Sequence, residues 1–169
     1  LKEKNVILGV TGGIAVYKAV ELLRLLTGEG ARVKVIMTES ACRFVAPLTF
    51  QTLSYNPVYI DMFKLLERSE IAHISLAEWC HLLVIAPATA NTIAKLAAGM
   101  ADNLLTSVAL SVRMPRLVCP AMNVDMLSSA ATQENIERLE RRGWIVVQPE
   151  EGELACGHEG AGRLAEPEH

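Results

Sequence analysis

Three short segments carry residue types suited to holding a small ligand. The first is Val10-Thr11-Gly12-Gly13-Ile14-Ala15. Glycines after an apolar strand let backbone N–H groups approach an anion at a helix N-terminus, and a phosphate suits them best. The segment is not GxGxxG and lacks the lysine-hydroxyl ending of a P-loop, so a simple tight turn accounts for it as well. The second segment is Ala86-Pro87-Ala88-Thr89-Ala90-Asn91-Thr92. Its small and hydroxyl residues leave room for a flat ring and offer it donors. Thr89, Asn91 and Thr92 also suit helix caps, and the two readings are compatible. The third is Pro120-Ala121-Met122-Asn123-Val124-Asp125-Met126. The Asn123 amide, with two donors and one acceptor, suits a carboxylate or amide substrate. An Asx-turn or an N-cap is the competing reading.

The titratable residues are harder to rank. His73 lies in an apolar segment before Ile74, Leu76 and Ala77, where a lone histidine is more often packed or surface-exposed than a base. His81 flanks an apolar run, His158 sits in a glycine-rich stretch, and His169 is the last residue. Spacing does not choose among them. Cys42, Cys80, Cys119 and Cys156 form no CxxC pair and no zinc-ligand pattern, which fits free thiols in a reducing cytosol. Cys156 lies in Leu154-Ala155-Cys156-Gly157-His158-Glu159-Gly160-Ala161-Gly162-Arg163. A cysteine on such a glycine-rich flap can swing over a bound substrate, or it is an incidental thiol. The run Glu150-Glu151-Gly152-Glu153 reads as a solvated loop.

Alternating strands and helices must position these segments. Asn5–Val10, Arg32–Met37, Leu82–Ala86, Arg116–Cys119 and Trp144–Val147 read as strands, the third and fourth stopped by Pro87 and Pro120. Helices are expected over Ile14–Leu26, Ile71–Cys80, Asn91–Ala98, Asn103–Val112 and Glu134–Arg142. Glu39–Val45 reads as a short helix. Pro47 and Pro57 punctuate a stretch of loop, helical turn and a short strand near Val58–Ile60. Glu67–Glu70 reads as a loop, as does the chain after Pro149. The pattern is that of a doubly wound α/β domain with a parallel sheet, whose ligands bind beyond the carboxyl ends of the strands.

Read together, the blocks GVTGGIAVYK, IAHISLAEW, APATANTIAKLAAGMADNLL, PAMNVDM and ACGHEGAGRLAEPE resemble the flavin-dependent cysteine decarboxylases, from Asn5 to Glu168. The PAMNxxM and ACGxxGxGR blocks, in that order after the histidine block, are the specific ones. The resemblance implies a flavodoxin-like fold binding FMN. Gly12, Gly13 and Ile14 would line the phosphate and ribityl region, with hydroxyl contacts from Thr38 and Ser40. Thr89, Ala90, Asn91 and Thr92 would border the ring or chain, and Ala121 would approach the flavin. His73 would be the active-site histidine, Asn123 the substrate-carboxylate asparagine and Cys156 the proton donor, with Ala155 and Arg163 on the substrate side. Residues 1–169 would form one domain, with 150–166 as a substrate flap.

The implied activity is that of a carboxy-lyase acting on 4′-phosphopantothenoylcysteine in coenzyme A biosynthesis. FMN would take a hydride from the carbon beside sulfur and later return it, so that the redox change cancels. A homotrimer, or a dodecamer built from trimers, would share the site between neighbours. Gly13 departs from the family, where serine is common. After Glu166-Pro167-Glu168-His169 many bacterial relatives continue into a phosphopantothenoylcysteine synthetase domain. A chain opening on Leu1 is therefore expected to be a fragment or a monofunctional form. Peptidyl-cysteine decarboxylases, flavin prenyltransferases and non-catalytic regulatory subunits are the competing relatives, and the ACGxxGxGR block favours the coenzyme A branch.

Composition agrees with one globular domain. The chain has 169 residues, 51% hydrophobic and 21% charged, and a formal net charge of -3. No basic tract is present to neutralise nucleic-acid phosphates, and no apolar run is long enough to span a bilayer. These features make a cytoplasmic enzyme the expectation.

Overall fold

The computed structural model describes residues 1–63, 71–153 and 159–168. Six strands form one parallel sheet: β1 (Asn5–Val10), β2 (Arg32–Met37), β3 (Val58–Tyr59), β4 (Leu82–Ala88), β5 (Arg116–Pro120) and β6 (Ile145–Val146), in the order β3-β2-β1-β4-β5-β6. With the two-residue β3 set aside, this is the flavodoxin order 2-1-3-4-5. The order reverses between β1 and β4, so a crevice opens there at the carboxyl edge.

Every residue of β1 is buried, because both faces of the sheet are covered. Val6, Leu8 and Val10 face one core, with Val16, Ala19, Leu23 and Leu26 of α1 (Val16–Gly28) and Phe50 of α2 (Pro47–Ser54). Ile7 faces the other core, formed with α3 (Ala72–Trp79), α4 (Ala90–Ala98), α5 (Leu104–Ser111) and α7 (Ala130–Arg141). The spacing 16, 19, 23, 26 puts one stripe of α1 on the sheet. Five-residue α6 (Val124–Ser128) precedes α7, and an antiparallel hairpin of β7 (Glu150–Glu153) and β8 (Glu159–Arg163) follows β6.

Several boundaries differ from the sequence reading, each for a local reason. Helix α1 begins at Val16 rather than Ile14, because the residues before it form a turn in which the Val16 N–H donates to the Gly13 carbonyl at 3.1 Å. Pro47 starts the two-turn α2, where only a helical turn was expected, since its fixed φ suits a first helical position. It also holds Ala46 extended, and the helix expected over Glu39–Val45 shrinks to the 3-10 turn Ala41–Arg43. Strand β4 runs through Pro87 to Ala88. The register with β5 shifts between Ile85 and Ala88, so the missing proline N–H falls where the ladder is already broken. The Ala86–Pro87 bond is cis. Helix α7 starts at Ala130, not Glu134, because Ser129 caps it by accepting from the Thr132 N–H. The residues after Pro149, expected as a loop or flap, pair as a hairpin from Glu150. The loop expected at Glu67–Glu70 lies outside the described residues.

Candidate active site at the carboxyl edge of the sheet

The strand-end segments meet at the β1/β4 crevice. The Thr11 hydroxyl is buried, donates to the Pro87 carbonyl at 2.7 Å and accepts the Thr89 N–H at 3.1 Å. One side chain therefore fastens the β1 loop to the β4 loop. On the other side of β4, the Ala121 N–H donates to the Ala88 carbonyl at 3.0 Å. The Asn123 loop is thereby tied to the same edge.

The β1 loop has the makings of an anion cradle. Among the described residues, no acceptor faces the N–H groups of Gly12, Gly13 or Ile14. A Cβ on Gly12 would sit 2.5 Å from both Cβ and Oγ of Ser40, so the loop lies flat against the turn after β2. The Thr38 and Ser40 hydroxyls are 3.0 Å apart on that turn. At Gly13 the nearest atom to an added Cβ is Thr89 Cγ2, at 3.8 Å, which leaves open space between the two loops. Free N–H donors before a helix, with hydroxyls beside them, fit the phosphate end of a flavin mononucleotide. Ile14 itself is 62% exposed.

The second loop serves as a helix cap as well. Thr89 Oγ1 accepts from the Thr92 N–H at 3.3 Å and donates to Thr92 Oγ1 at 3.2 Å, and Thr92 is buried. Ala90 is half-buried and Asn91 exposed at the head of α4. Asn123 likewise caps α6, its Oδ1 accepting from the Asp125 N–H at 2.8 Å. This engages the acceptor oxygen inward.

His73 stands half-buried in the first turn of α3. That helix ends at the amino end of β1, where the Asn5 side-chain nitrogen donates to the Trp79 carbonyl at 2.8 Å, and His73 lies at its opposite end. Among the described residues, none bonds or pairs with the His73 imidazole. Arg163 ends β8 and pairs with Glu166. Ala155 and Cys156 lie outside the described residues. The joining role of Thr11 was not legible, since its only signal is a hydroxyl directly before the glycine pair.

Burial separates the described thiols from reactive ones. It pushes the Cys119 thiol up to about 12 and raises Cys80 as well. Cys42, near Ser40, is raised chiefly by burial, and its Sγ donates to the Thr38 carbonyl at 3.4 Å. No membrane-spanning helix and no cluster of His, Cys, Asp and Glu fit for a metal occur among the described residues.

Known proteins match this arrangement throughout. The Coenzyme A biosynthesis bifunctional protein CoaBC of Bacillus subtilis (strain 168) is 54% identical over 169 residues, all of this chain and 42% of that protein. The CoaBC of Escherichia coli (strain K12) is 44% identical over 167 residues, 99% of this chain and 41% of that protein. The chain therefore spans about two-fifths of these relatives. Among solved structures, a Cys-to-Ser variant of PPC decarboxylase complexed with pantothenoylaminoethenethiol superposes with a TM-score of 0.89 at 31% identity, over 99% of this chain and 93% of that one. The FMN-dependent cysteine decarboxylase SpaF gives 0.85 at 30% identity, over 94% and 89%. A flavoprotein family model matches residues 1–169 from end to end, and this chain belongs to the flavoprotein family.

Proposed function

We propose that this chain catalyses the FMN-dependent decarboxylation of 4′-phosphopantothenoylcysteine to 4′-phosphopantetheine in coenzyme A biosynthesis. The observation that carries the reading is the junction of three strand-end loops, made by the Thr11–Thr89 and Ala121–Ala88 hydrogen bonds. The likeness to PPC decarboxylase over 93% of that chain supports the substrate class.

In this reading Gly12, Gly13 and Ile14 hold the FMN phosphate through their N–H groups, beside Thr38 and Ser40. Thr89, Ala90, Asn91, Thr92 and Ala121 border the rest of the cofactor. When bound, FMN supplies a reversible hydride sink, which alkyl-carboxylate decarboxylation otherwise lacks. Asn123 orients the substrate carboxylate through its amide N–H groups while its oxygen caps α6. A neutral donor orients the group without the ionic stabilisation that would oppose loss of carbon dioxide. His73 accepts a proton or steadies charge during thiol oxidation. Ala155 and Arg163 are assigned to substrate binding, residues 150–166 to its flap, and Cys156 to donation of the last proton to the product.

The setting in this reading is the cytoplasm, and the working unit a homotrimer or a dodecamer of trimers. Exposed Tyr17, Phe44 and Leu48 on the α1–α2 side suit burial between copies.

The test is a decarboxylation assay on the purified protein, alongside its flavin absorption spectrum. Carbon dioxide release from 4′-phosphopantothenoylcysteine, and not from a peptide ending in cysteine, is expected. His73→Asn should keep the flavin and lose turnover, and activity surviving in it would remove His73 from the chemistry. Cys156→Ser should accumulate the oxidised, decarboxylated thiol.

A further inference from the structure

We infer that Lys18 is a positioning residue for the substrate side of the site. From the buried face of α1 it holds the end of β8, and with it Arg163, against the loop that carries Asn123. The kinetic part of this inference rests on the decarboxylase reading, and the structural part does not.

Lys18 is 4% exposed, between Val16 and Ala19 in the core under α1. A buried ammonium is expensive unless it is paired and hydrogen-bonded. Its partners come from the far end of the chain. Nζ donates to the Leu164 carbonyl at 2.9 Å and pairs with Glu166 Oε1 at 3.0 Å. The same Glu166 oxygen takes the Arg163 guanidinium, so one carboxylate joins α1 to the last residue of β8. Lys18 and Arg163 together hold that carboxyl below its usual range. The Glu166 N–H donates to Glu150 Oε1 at 3.1 Å, which ties in the other arm of the hairpin.

The hairpin in turn grips the Asn123 loop. The Met122 N–H donates to the Gly162 carbonyl at 3.0 Å, one residue before Asn123. A Cβ on Gly162 would lie 2.2 Å from the Met122 carbonyl oxygen, so the two backbones touch. Lys18 therefore sits at the root of a continuous path: α1, Glu166, Arg163, β8, Met122, Asn123. Its helix starts from the loop assigned to the cofactor phosphate. Displacing a positioned group by about 1 Å can lower turnover roughly a hundredfold.

Lys18→Met keeps the volume and removes the donors. Amide hydrogen exchange at Met122 should quicken about tenfold or more, while the β1 amides of Ile7 and Leu8 hold their rates. KM for 4′-phosphopantothenoylcysteine should rise roughly tenfold to a hundredfold, with flavin affinity unchanged and partial rescue in Lys18→Arg. Unchanged Met122 exchange and KM would overturn the inference. So would Met122 and β1 amides quickening together, which marks general destabilisation. If Lys18→Met does not fold, Glu166→Gln is read by the same criteria, since it removes the charge that joins Lys18 to Arg163. If the wild-type protein releases no carbon dioxide, the decarboxylase reading fails, and the exchange data still decide the role of Lys18.

Discussion

Thr11 and Thr89 are joined across the β1/β4 crevice by a 3.1 Å hydrogen bond from the Thr89 N–H to the buried Thr11 hydroxyl. The same hydroxyl donates to the Pro87 carbonyl at 2.7 Å. Thr11→Val keeps the shape and leaves the Thr89 N–H without its acceptor. An unsatisfied buried donor costs about 1–3 kcal/mol. Thermal or denaturant unfolding should show that loss, and flavin titration should show weaker binding, because the two loops are no longer fastened. Thr11→Ser should retain most of both. A Thr11→Val protein with wild-type stability and flavin affinity would show that the backbone alone holds the crevice.

The two glycines of the β1 loop should respond oppositely to substitution. At Gly12 an added Cβ meets Ser40 side-chain atoms at 2.5 Å and its backbone carbon at 2.7 Å. Gly12→Ala must push the β2 turn away, and flavin affinity should fall by roughly tenfold or more, at about 1.4 kcal/mol per tenfold. At Gly13 an added Cβ meets nothing closer than 3.8 Å, so Gly13→Ser has room for its side chain and adds a hydroxyl donor to the loop. Its flavin affinity should equal or exceed that of the wild type. Equal affinities in both variants would place the phosphate elsewhere.

What the sequence made legible divides by physical cause. The parallel strands Asn5–Val10 and Arg32–Met37 were readable to the residue: the first is buried on both faces and almost wholly apolar, and the second has apolar Val33, Val35, Ile36 and Met37 buried while Arg32 and Lys34 reach the surface. Two prolines were misread for different reasons: Pro47 starts a helix, a local preference that its reading as loop punctuation passed over, and Pro87 lies inside a strand at a register break that only pairing with β5 creates. The strand-end loops were legible as ligand candidates from glycine and hydroxyl content. Their junction was not, since it depends on Thr11 reaching residues 76 and 78 positions away. His73 gave no signal of its own, and resemblance alone singled it out. The path from Lys18 to Glu166 crosses most of the chain and leaves no local pattern.

Cys119 supplies a pH test of the core. Burial holds its thiol protonated to about 12, against 9.0 for a thiol in the open chain. Above 9.0 the unfolded chain gives up this proton and the folded chain keeps it, so the folded state binds more protons. Stability therefore falls as pH rises, by about 1.4 kcal/mol per pH unit from this one group, until the folded thiol also ionises. Below 9.0 it contributes no slope. The difference between the pH profiles of wild type and Cys119→Ala, measured by urea unfolding from pH 7 to 11, should show this bend. The native thiol should also resist alkylation at pH 8. A flat difference profile would mean that Cys119 is solvated.

Asn123 combines two tasks that substitution can separate. Its Oδ1 caps α6 through the Asp125 N–H at 2.8 Å, and its amide nitrogen is assigned to the substrate carboxylate. Aspartate is as good an N-cap as asparagine, so Asn123→Asp should melt within a few degrees of the wild type. It replaces the amide donor with a second negative charge facing the substrate carboxylate. Like charges brought together cost several kcal/mol, and kcat/KM should fall by about two orders of magnitude or more, with flavin content unchanged. Asn123→Ala loses cap and donor alike, and should lose about 1 kcal/mol of stability as well as activity. Full activity in Asn123→Asp would assign Asn123 to the helix cap alone and leave the carboxylate to another residue.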